Sequence, residues 1–537
     1  MHPCIALPEL QAHIFRYLAS DSRGQGRSTL AACARISKLF TDSALDILWF
    51  ELPSLEPFVR SMPDDLWKKD HCGRVSFLRS LSHDDMGRCL TYGRRVRSLR
   101  VERQDDPIDD AVYQELFEYF PDTLLFPNLL SLFWTDRDPV YLPLFISPCL
   151  RTARISFGVY NTTYSALFSV ERLMRVSPHL EAVAFPGPSA RRIAAAPEFL
   201  PIITSLRDVR EFTCFVNSLS SQCLRGLASW PKLRKLTLVG DAESKSSSTW
   251  PDFPCDDPPD EILDAPFESL THLDLTMNGT VPPAVFSQYP LFSNLKSLTI
   301  NLPDDSEASL VEAWLRDISQ YCSPQRMTAV SVNPAYRWQQ HLSQVEPQYT
   351  LDCSALMPLT SFTQFRMLNI TLKCTIILDD ALLIELAGCW PKLQRLNIGI
   401  QSGSTEEPRV TAKGLVALLK LCPDLAYLGL VFDARTLLHG PYGRPGAGVC
   451  NEKITVFDVG NSPIRDPLAV AEFMSDIIPC LREIKTVYRI PLVWSSAAQI
   501  QKKLWKEAET LVPLLAKVRG QERSFRVSHN SNSCSQR

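Results

Sequence analysis

The sequence predicts an α/β fold in which a small N-terminal helical unit precedes a long solenoid of short parallel strands and returning segments. Two observations predict it. One short apolar motif recurs from position 96 to position 481 at intervals averaging roughly 30 residues, a spacing typical of stacked repeats. Residues 1–52 lack that motif and carry apolar residues at helical spacing instead.

The first helical stretch is LPELQAHIFRYL, Leu7 to Leu18. Pro8 suits a first helical turn, and Leu10, Ile14, Phe15 and Leu18 form one apolar face. After the linker ASDSRGQGRST, made flexible by Gly24 and Gly26, comes LAACARISKLFTDSALDILWFEL, Leu30 to Leu52, with Ser28 or Thr29 as its cap. It offers Leu30, Cys33, Ile36, Leu39, Phe40, Leu45, Leu48 and Trp49. A bundle of about 45 residues cannot bury so much apolar surface against itself, so part of it is expected to meet another polypeptide. Residues 1–52 are read as this three-helix domain and 53–93 as a helical linker region.

The motif of the remaining chain is a bulky residue, often followed by Pro, and then L-x-x-L-x-L. WPKLRKLTL (Trp230 to Leu238), WPKLQRLNI (Trp390 to Ile398) and CPDLAYLGL (Cys422 to Leu430) show it most clearly. Its first apolar positions are Val96, Leu129, Leu150, Leu180, Val209, Leu233, Leu270, Leu295, Met327, Phe365, Leu393, Leu425, Ile454 and Leu481. Side chains alternate across a strand, so the later leucines of each copy enter a core shared with the next copy while the residue between them faces out. The rest of each copy must return to the start of the next strand. AVYQELFEYF, YSALFSVERLMRV, DDALLIELAGCW and TAKGLVALLKLC read as return helices; in the last, Leu415, Leu418, Leu419 and Cys422 make one stripe, with Thr411 or a neighbour as cap. Together these features predict an irregular leucine-rich-repeat solenoid, a horseshoe, over 94–495. Only Asn217 and Asn278 occupy the corner register that such repeats usually fill with asparagine, so uneven curvature is expected.

Two Pro-, Gly- and Ser-rich insertions, Gly240 to Glu261 and His439 to Glu452, are expected as exposed loops. Residues 496–519 read as a helix covering the last repeat, which an open solenoid requires. Residues 520–537 are poor in apolar side chains and read as a disordered tail.

Composition limits the functional classes. Lysine and arginine number 56 against 59 acidic residues, a net charge of -3, which gives no general attraction to nucleic acid or anionic membrane. The 16 cysteines are dispersed without a C-x-x-C pair, as expected for reduced thiols in a cytoplasmic or nuclear protein. No apolar run long enough to span a bilayer and no secretory leader pattern is read. The motif Arg94, Arg95, Arg97, Arg100, Arg103 is basic, but no aromatic residues are interleaved in it, and it reads as a solvated strand edge rather than a nucleic-acid patch. The residues offer no phosphate-binding loop, nucleophile elbow or zinc pair. No catalytic residue, cofactor or metal site is therefore expected, and the chain is read as a non-enzyme.

At the N-terminus the residues resemble an F-box. The resemblance is carried by Leu7 and Pro8, by Ile14, Phe15 and Leu18, by Cys33, Ile36, Ser37, Lys38 and Phe40, and by Leu48 and Trp49, in that order over residues 5 to 52. More loosely, the whole chain is similar to the fungal F-box proteins with leucine-rich repeats. It departs from them in a longer linker between the first two helices. The resemblance implies the substrate-recognition subunit of a Skp–cullin–F-box ubiquitin ligase. It further implies that Leu7, Pro8, Ile14, Phe15, Leu18, Leu30, Cys33, Ile36, Leu39 and Phe40 contact a Skp-type adaptor, and through it a cullin. The alternative is a repeat scaffold without ubiquitin function.

A protein substrate is expected on the concave face, formed by the outward residue of each strand. In order these are Arg100, Phe133, Arg154, Ala184, Thr213, Thr237, Asp274, Thr299, Ser331, Asn369, Asn397, Gly429, Asp458 and Lys485. The small polar middle, Thr213, Thr237, Asp274, Thr299, Ser331, Asn369 and Asn397, is the candidate substrate surface, suited to hydrogen bonding with a protein segment.

Overall fold

In the computed structural model of the chain, the described residues are 7–19, 26–103, 106–120, 124–158, 163–186, 199, 201–202, 206, 208–215, 221–240, 267–276, 294–303, 306–335, 350–351, 353–372, 375–400, 407–437, 446–487 and 496–534. They form two compact units, residues 1–239 with 251–267 and residues 240–250 with 268–537. The division falls inside the span 94–495 that the sequence reading treats as one array.

The first unit opens with helices α1 (Pro8–Ala19), α2 (Gly26–Ile36) and α3 (Lys38–Leu48). Its parallel sheet runs in the order β1 (Glu51–Leu52), β4 (Ser98–Glu102), β5 (Ser131–Thr135), β6 (Thr152–Ser156), β7 (Ala182–Ala184), β8 (Glu211–Phe215) and β9 (Lys235–Val239). Between β1 and β4 lie the short helix α4 (Glu56–Val59), the antiparallel pair β2 (Trp67–Lys69) and β3 (Val75–Phe77), and helix α5 (Gly87–Gly93). The segment 53–93 is thus no simple helical linker. Because Glu51 and Leu52 pair in parallel with Ser98 and Leu99, the solenoid begins at the end of the helical unit, and 53–93 is the return of its first coil.

Return helices α6 (Asp110–Tyr119), α7 (Thr163–Val176) and α8 (Ser221–Ala228) precede β5, β7 and β9. Asp109 caps α6, its side chain accepting from the Ala111 amide at 3.0 Å, which satisfies one of the free amides of the first turn.

The second unit repeats the arrangement, with strands β10 (His272–Thr276), β11 (Ser297–Leu302), β12 (Ala329–Pro334), β14 (Met367–Ile370), β16 (Arg395–Ile398), β17 (Tyr427–Leu430), β18 (Val456–Asp458) and β19 (Glu483–Lys485) paired in parallel in that order. A separate small pair joins β13 (Thr350–Leu351) to β15 (Thr375–Ile376). Helices α9 (Ala308–Tyr321), α10 (Asp380–Cys389), α11 (Ala412–Leu421) and α12 (Pro467–Ile477) return the chain.

Every first apolar position named from the sequence is at most 3% exposed, and each strand starts two residues after it. The repeating pattern of parallel strand and return segment is a leucine-rich-repeat architecture. A buried leucine or isoleucine contributes roughly 2 kcal/mol, so the inward side chains of stacked copies are the main source of cohesion. The expected corner residues Asn217 and Asn278, nearly all of the first insertion and the first half of the second lie outside the described residues. At the end of the second insertion Ala447, Gly448, Cys450 and Glu452 are exposed as expected, but one side chain turns inward. Asn451 is buried, donates to the Leu425 carbonyl at 2.9 Å, and accepts from the amides of Lys453 and Ile454.

The terminal helix α13 (Ser496–Cys534) extends past the expected end at 519 and into the stretch read as a disordered tail. Trp505, Ala508 and Val512 are buried, so α13 covers the last repeats as the sequence reading requires.

One glycine fixes how neighbouring return helices approach. Thr411 donates to Asp380 from both its amide (2.7 Å) and its hydroxyl (2.6 Å), and a Cβ at Gly414 would lie 2.3 Å from Asp380 Oδ1. Gly to Ala inside a helix ordinarily stabilises by about 1 kcal/mol. Here the sign reverses: Gly414→Ala is expected to break the Asp380–Thr411 bonds and lower stability by roughly 1–3 kcal/mol, read as a lower urea midpoint with an unchanged slope.

Candidate interaction surfaces

The N-terminal helices sort the ten expected adaptor contacts into two groups. Phe15, Leu30 and Ala44 form a small core, with Leu18, Cys33, Phe40, Ile47 and Leu48 packed partly buried against it. The rings of Phe15 and Phe40 meet edge to face at 6.0 Å. Leu7, Pro8, Ile14, Ile36 and Leu39 face out; Ile36 is 73% exposed, and Leu7, Ile14 and Leu39 are about half exposed at 50%, 49% and 45%. Leu10, on the same apolar face of the first helix by its spacing, is 43% exposed, and Tyr17 is 82% exposed. The apolar face of α1 therefore splits. Phe15 points into the bundle, while Leu7, Leu10, Ile14 and Tyr17, at intervals of three and four, form a second, exposed stripe.

The linker reading also changes. Gly26 is the buried first residue of α2, where a Cβ would stand 2.0 Å from the Leu18 carbonyl oxygen, so it serves close helix packing rather than flexibility. Helix α2 starts two residues before the expected cap at Ser28, and only positions 20–25 separate it from α1. Ser37 starts α3, its hydroxyl accepting from the Leu39 amide at 3.3 Å.

Three contacts tie the helices to the first coil. Trp49 stacks on Tyr92 at 4.5 Å with ring planes 7° apart. Arg95 pairs with Asp42 at 2.6 Å and with Asp46, and Arg27 donates to the Glu51 carbonyl. Asp42 and Asp46 are largely exposed, so the ion pairs contribute at most about 1 kcal/mol each, and the stack about 0.5–1.5 kcal/mol beyond its burial. The partners of Arg95 are far away in sequence and leave no local signal beside the expected strand-edge charge.

The second surface is the outward face of the sheets. In the first unit Arg100, Phe133, Arg154, Ala184, Thr213 and Thr237 stand in one register row. In the second unit Asp274, Thr299, Ser331, Asn369, Asn397, Gly429, Asp458 and Lys485 do the same. The alternation rule thus places the residues correctly. Their accessibility differs: Thr213, Thr237, Asp274, Thr299 and Asn369 are half-buried, whereas Ser331 and Asn397 are each 6% exposed and offer little side chain to a partner. Small outward residues on tightly apposed strands sink beneath their neighbours.

At one end of the first row the guanidinium groups of Arg100 and Arg154 flank the Phe133 ring at 4.6 and 5.6 Å. Aromatic and basic residues, not interleaved along the chain, are interleaved across strands, and each such contact contributes about 0.5–1 kcal/mol at an exposed site.

In the second unit an amide ladder runs across the strands. Asn301 donates to Thr276 at 3.2 Å, Asn333 to Asn301 at 3.4 Å, and Asn369 to Asn333 at 2.6 Å. The ladder then stops: among the described residues, Asn369 Oδ1 and Asn397 Oδ1 are buried acceptors without a donor. Beyond them stand Gly429 and Asp458. Burial pushes the Asp458 carboxyl above the ordinary carboxylate range, against the pull of its hydrogen bond from the Gly460 amide and of the Lys485 charge. Arg395 lies over the Tyr427 ring at 4.0 Å, and burial together with the Asp458 charge raises the Tyr427 phenol. Arg395 and Tyr427 were missed in the sequence reading, although they share the outward face with Asn397 and Gly429 by the same two-residue alternation.

Among the described residues no group of three or more His, Cys, Asp or Glu could hold a metal ion, and no helix is long and apolar enough to cross a membrane.

The sequence matches no known family model and no curated protein. Among solved structures it is similar to one in the yeast complex of Rad7 and Elc1, with a TM-score of 0.38 and 12% identity, over 72% of this chain and 84% of that one. It is also similar to one in the TLR13–ssRNA13 complex, with a TM-score of 0.28 and 11% identity, over 74% of this chain and 60% of that one. At these scores neither Elc1 nor RNA is carried over to this chain.

Proposed function

We propose that the chain is a non-catalytic substrate-recognition subunit of a Skp–cullin–F-box ubiquitin ligase. Its N-terminal helices would dock on the Skp-type adaptor, and its repeats would hold a protein substrate. The observation that carries the reading is the unburied stripe of Leu7, Leu10 and Ile14, with Ile36 and Leu39, in a bundle whose own core is already filled by Phe15, Leu30 and Ala44. Apolar surface of this extent on a small domain marks a contact with another protein. The F-box-like order of residues 5 to 52 names the kind of partner.

In this reading the chain supplies proximity. It holds substrate lysines near a charged conjugating enzyme brought by the cullin, so the gain is one of effective concentration and orientation. No side chain of the repeats needs to take part in bond making.

Capture of a Skp-type adaptor and cullin by the full chain is the test. Ile14→Asp and Leu39→Asp, at exposed positions, are expected to weaken adaptor capture by about 30-fold or more, the scale of a central interface contact, with no change in thermal midpoint. If the full chain captures no adaptor, or the two variants capture it as well as the unmodified chain, the repeat scaffold without ubiquitin function replaces this reading.

A further inference from the structure

The outward sheet face of the first unit carries a basic cluster that is open to solvent. We infer that Arg100 and Arg154, held against Phe133, bind an acidic protein segment, an extended stretch with carboxylate side chains two residues apart; this inference rests on the reading of the repeats as a protein-binding surface.

The cluster is built by strand register. Arg100, Phe133 and Arg154 are direct partners across β4, β5 and β6, so their side chains leave the same face side by side. The two guanidinium centres lie 4.6 and 5.6 Å from the centroid of the one ring. They approach it from the strands on either side, which are about 10 Å apart. The three groups thus meet at one place, and it is reachable: the Arg100 side chain is 54% exposed, Arg154 is exposed and Phe133 is half-buried. Contact with the ring also restricts two long side chains before a ligand arrives, which lowers the ordering cost of binding.

Charge selects the partner. Of the outward residues of β4, β5 and β6, only Glu102 is acidic; Ser131, Thr135 and Thr152 beside the cluster are neutral and can donate from their hydroxyls. Glu102 accepts from Arg100 at 2.7 Å, a bond that uses one of the five N–H donors of the guanidinium. Arg154 has its ring contact but no ion pair among the described residues. Guanidinium edges match carboxylates through parallel N–H bonds, and because the ring stands between the two groups, each takes its own carboxylate. Along an extended segment, side chains two residues apart share a face and are about 6.7 Å apart, whereas adjacent ones point to opposite faces. Spaced acids therefore set one carboxylate on each side of the ring. A nucleobase would need a free ring face to stack on, and the guanidinium groups occupy the approach from both sides.

The experiment uses the full chain and fluorescent pools of nine-residue peptides with neutral random flanks, read by polarisation. Their centres are Glu-x-Glu, Gln-x-Gln, adjacent Glu-Glu or a single phosphoserine, and a labelled ten-nucleotide oligothymidylate is the nucleic-acid probe. The Glu-x-Glu pool is expected to bind about 10-fold more tightly than Gln-x-Gln, the scale of two exposed charge pairs, and about 3-fold more tightly than the adjacent acids, which carry the same charge but engage one pair. Arg154→Gln, at an exposed position, should reduce the first preference to about 3-fold and remove the second, with no shift in thermal midpoint. Arg151→Gln removes an equal charge close by, from a residue paired with Glu181, and should leave both preferences. Equal binding of the acid and amide pools, no binding, adjacent acids bound as tightly as spaced ones, unchanged preferences in Arg154→Gln, or an equal loss in Arg151→Gln overturns the proposal. So does tighter binding of the phosphoserine pool or of the oligothymidylate than of Glu-x-Glu, which would assign the cluster to phosphate. Adaptor capture depends on Ile14 and Leu39, so failure here with capture intact removes only this inference, and loss of capture with these preferences intact removes only the ligase reading.

Discussion

Replacing Arg137 with methionine is expected to lower the stability of the first unit by about 3–5 kcal/mol, the cost of leaving a buried charge without its partner. Arg137 and Asp106 have side chains 3% and 0% exposed and meet at 3.2 Å. The same guanidinium donates to the Ile108 carbonyl at 2.7 Å, pairs with Asp110, and lies 4.6 Å over the fully buried ring of Tyr113, whose hydroxyl donates to Asp106. Methionine fills much of the volume but leaves the Asp106 carboxylate in an apolar site with the Tyr113 hydroxyl as its main partner.

A pH dependence follows from the direction of the Asp106 shift. Burial already holds its carboxyl above the ordinary value, against the opposing effects of Tyr113 and Arg137. Loss of the guanidinium raises it further. A group whose folded pKa lies above its unfolded value favours the folded state at low pH and loses that contribution as pH rises through the folded pKa. Urea unfolding of Arg137→Met should therefore show a deficit that shrinks from pH 8 towards pH 5, and Asp106→Asn in the same background should recover much of the loss at neutral pH. A deficit that is the same at every pH would assign the effect to packing alone.

Removal of the terminal cap is expected to act on a similar scale but locally. Trp505 is 1% exposed, donates from its indole nitrogen to the Ser462 carbonyl at 2.8 Å, and meets the Phe432 ring edge to face at 6.0 Å. Trp505→Ala should cost roughly 3–5 kcal/mol for the cavity and the lost apolar contact. In a repeat stack each copy touches only its neighbours. Hydrogen exchange should therefore accelerate first in β17, β18, β19 and α12, while β10 to β12 keep their protection. Uniform acceleration across the second unit would mean that the unit unfolds as one block and that the cap stabilises it globally.

These two sites mark where reading the chain ends. Arg137 and Trp505 carry no pattern that separates them from other arginines and tryptophans of the sequence. The repeat is different. From Val96 to Leu481 the sequence places every inward position correctly because strand alternation is a local rule, and a residue two positions away always shares its face. The return helices before β16 and β17 were equally legible, down to Thr411 as a cap, because periodicity and capping are local too. Strands β1, β2 and β3 were missed. They are two or three residues long, too short to show a period, and pairing with distant segments makes them strands.

The candidate surfaces divide in the same way. The order of apolar residues in 5–52 was enough to suggest a docking element, and the two-residue step was enough to assign the outward row. The sequence could not say that Ile14 is exposed while Phe15 is buried, or that Gly26 is pressed against α1. Nor could it show that the amide ladder leaves the side-chain oxygens of Asn369 and Asn397 unmatched among the described residues.

The amino-acid sequence alone determined the repeat, its register and the faces of its strands, since these depend on residues a few positions apart. The tertiary structure decided which outward side chains remain reachable and which charges lie buried together. Burial and pairing depend on which remote segments come together, and a list of residues does not record those distances.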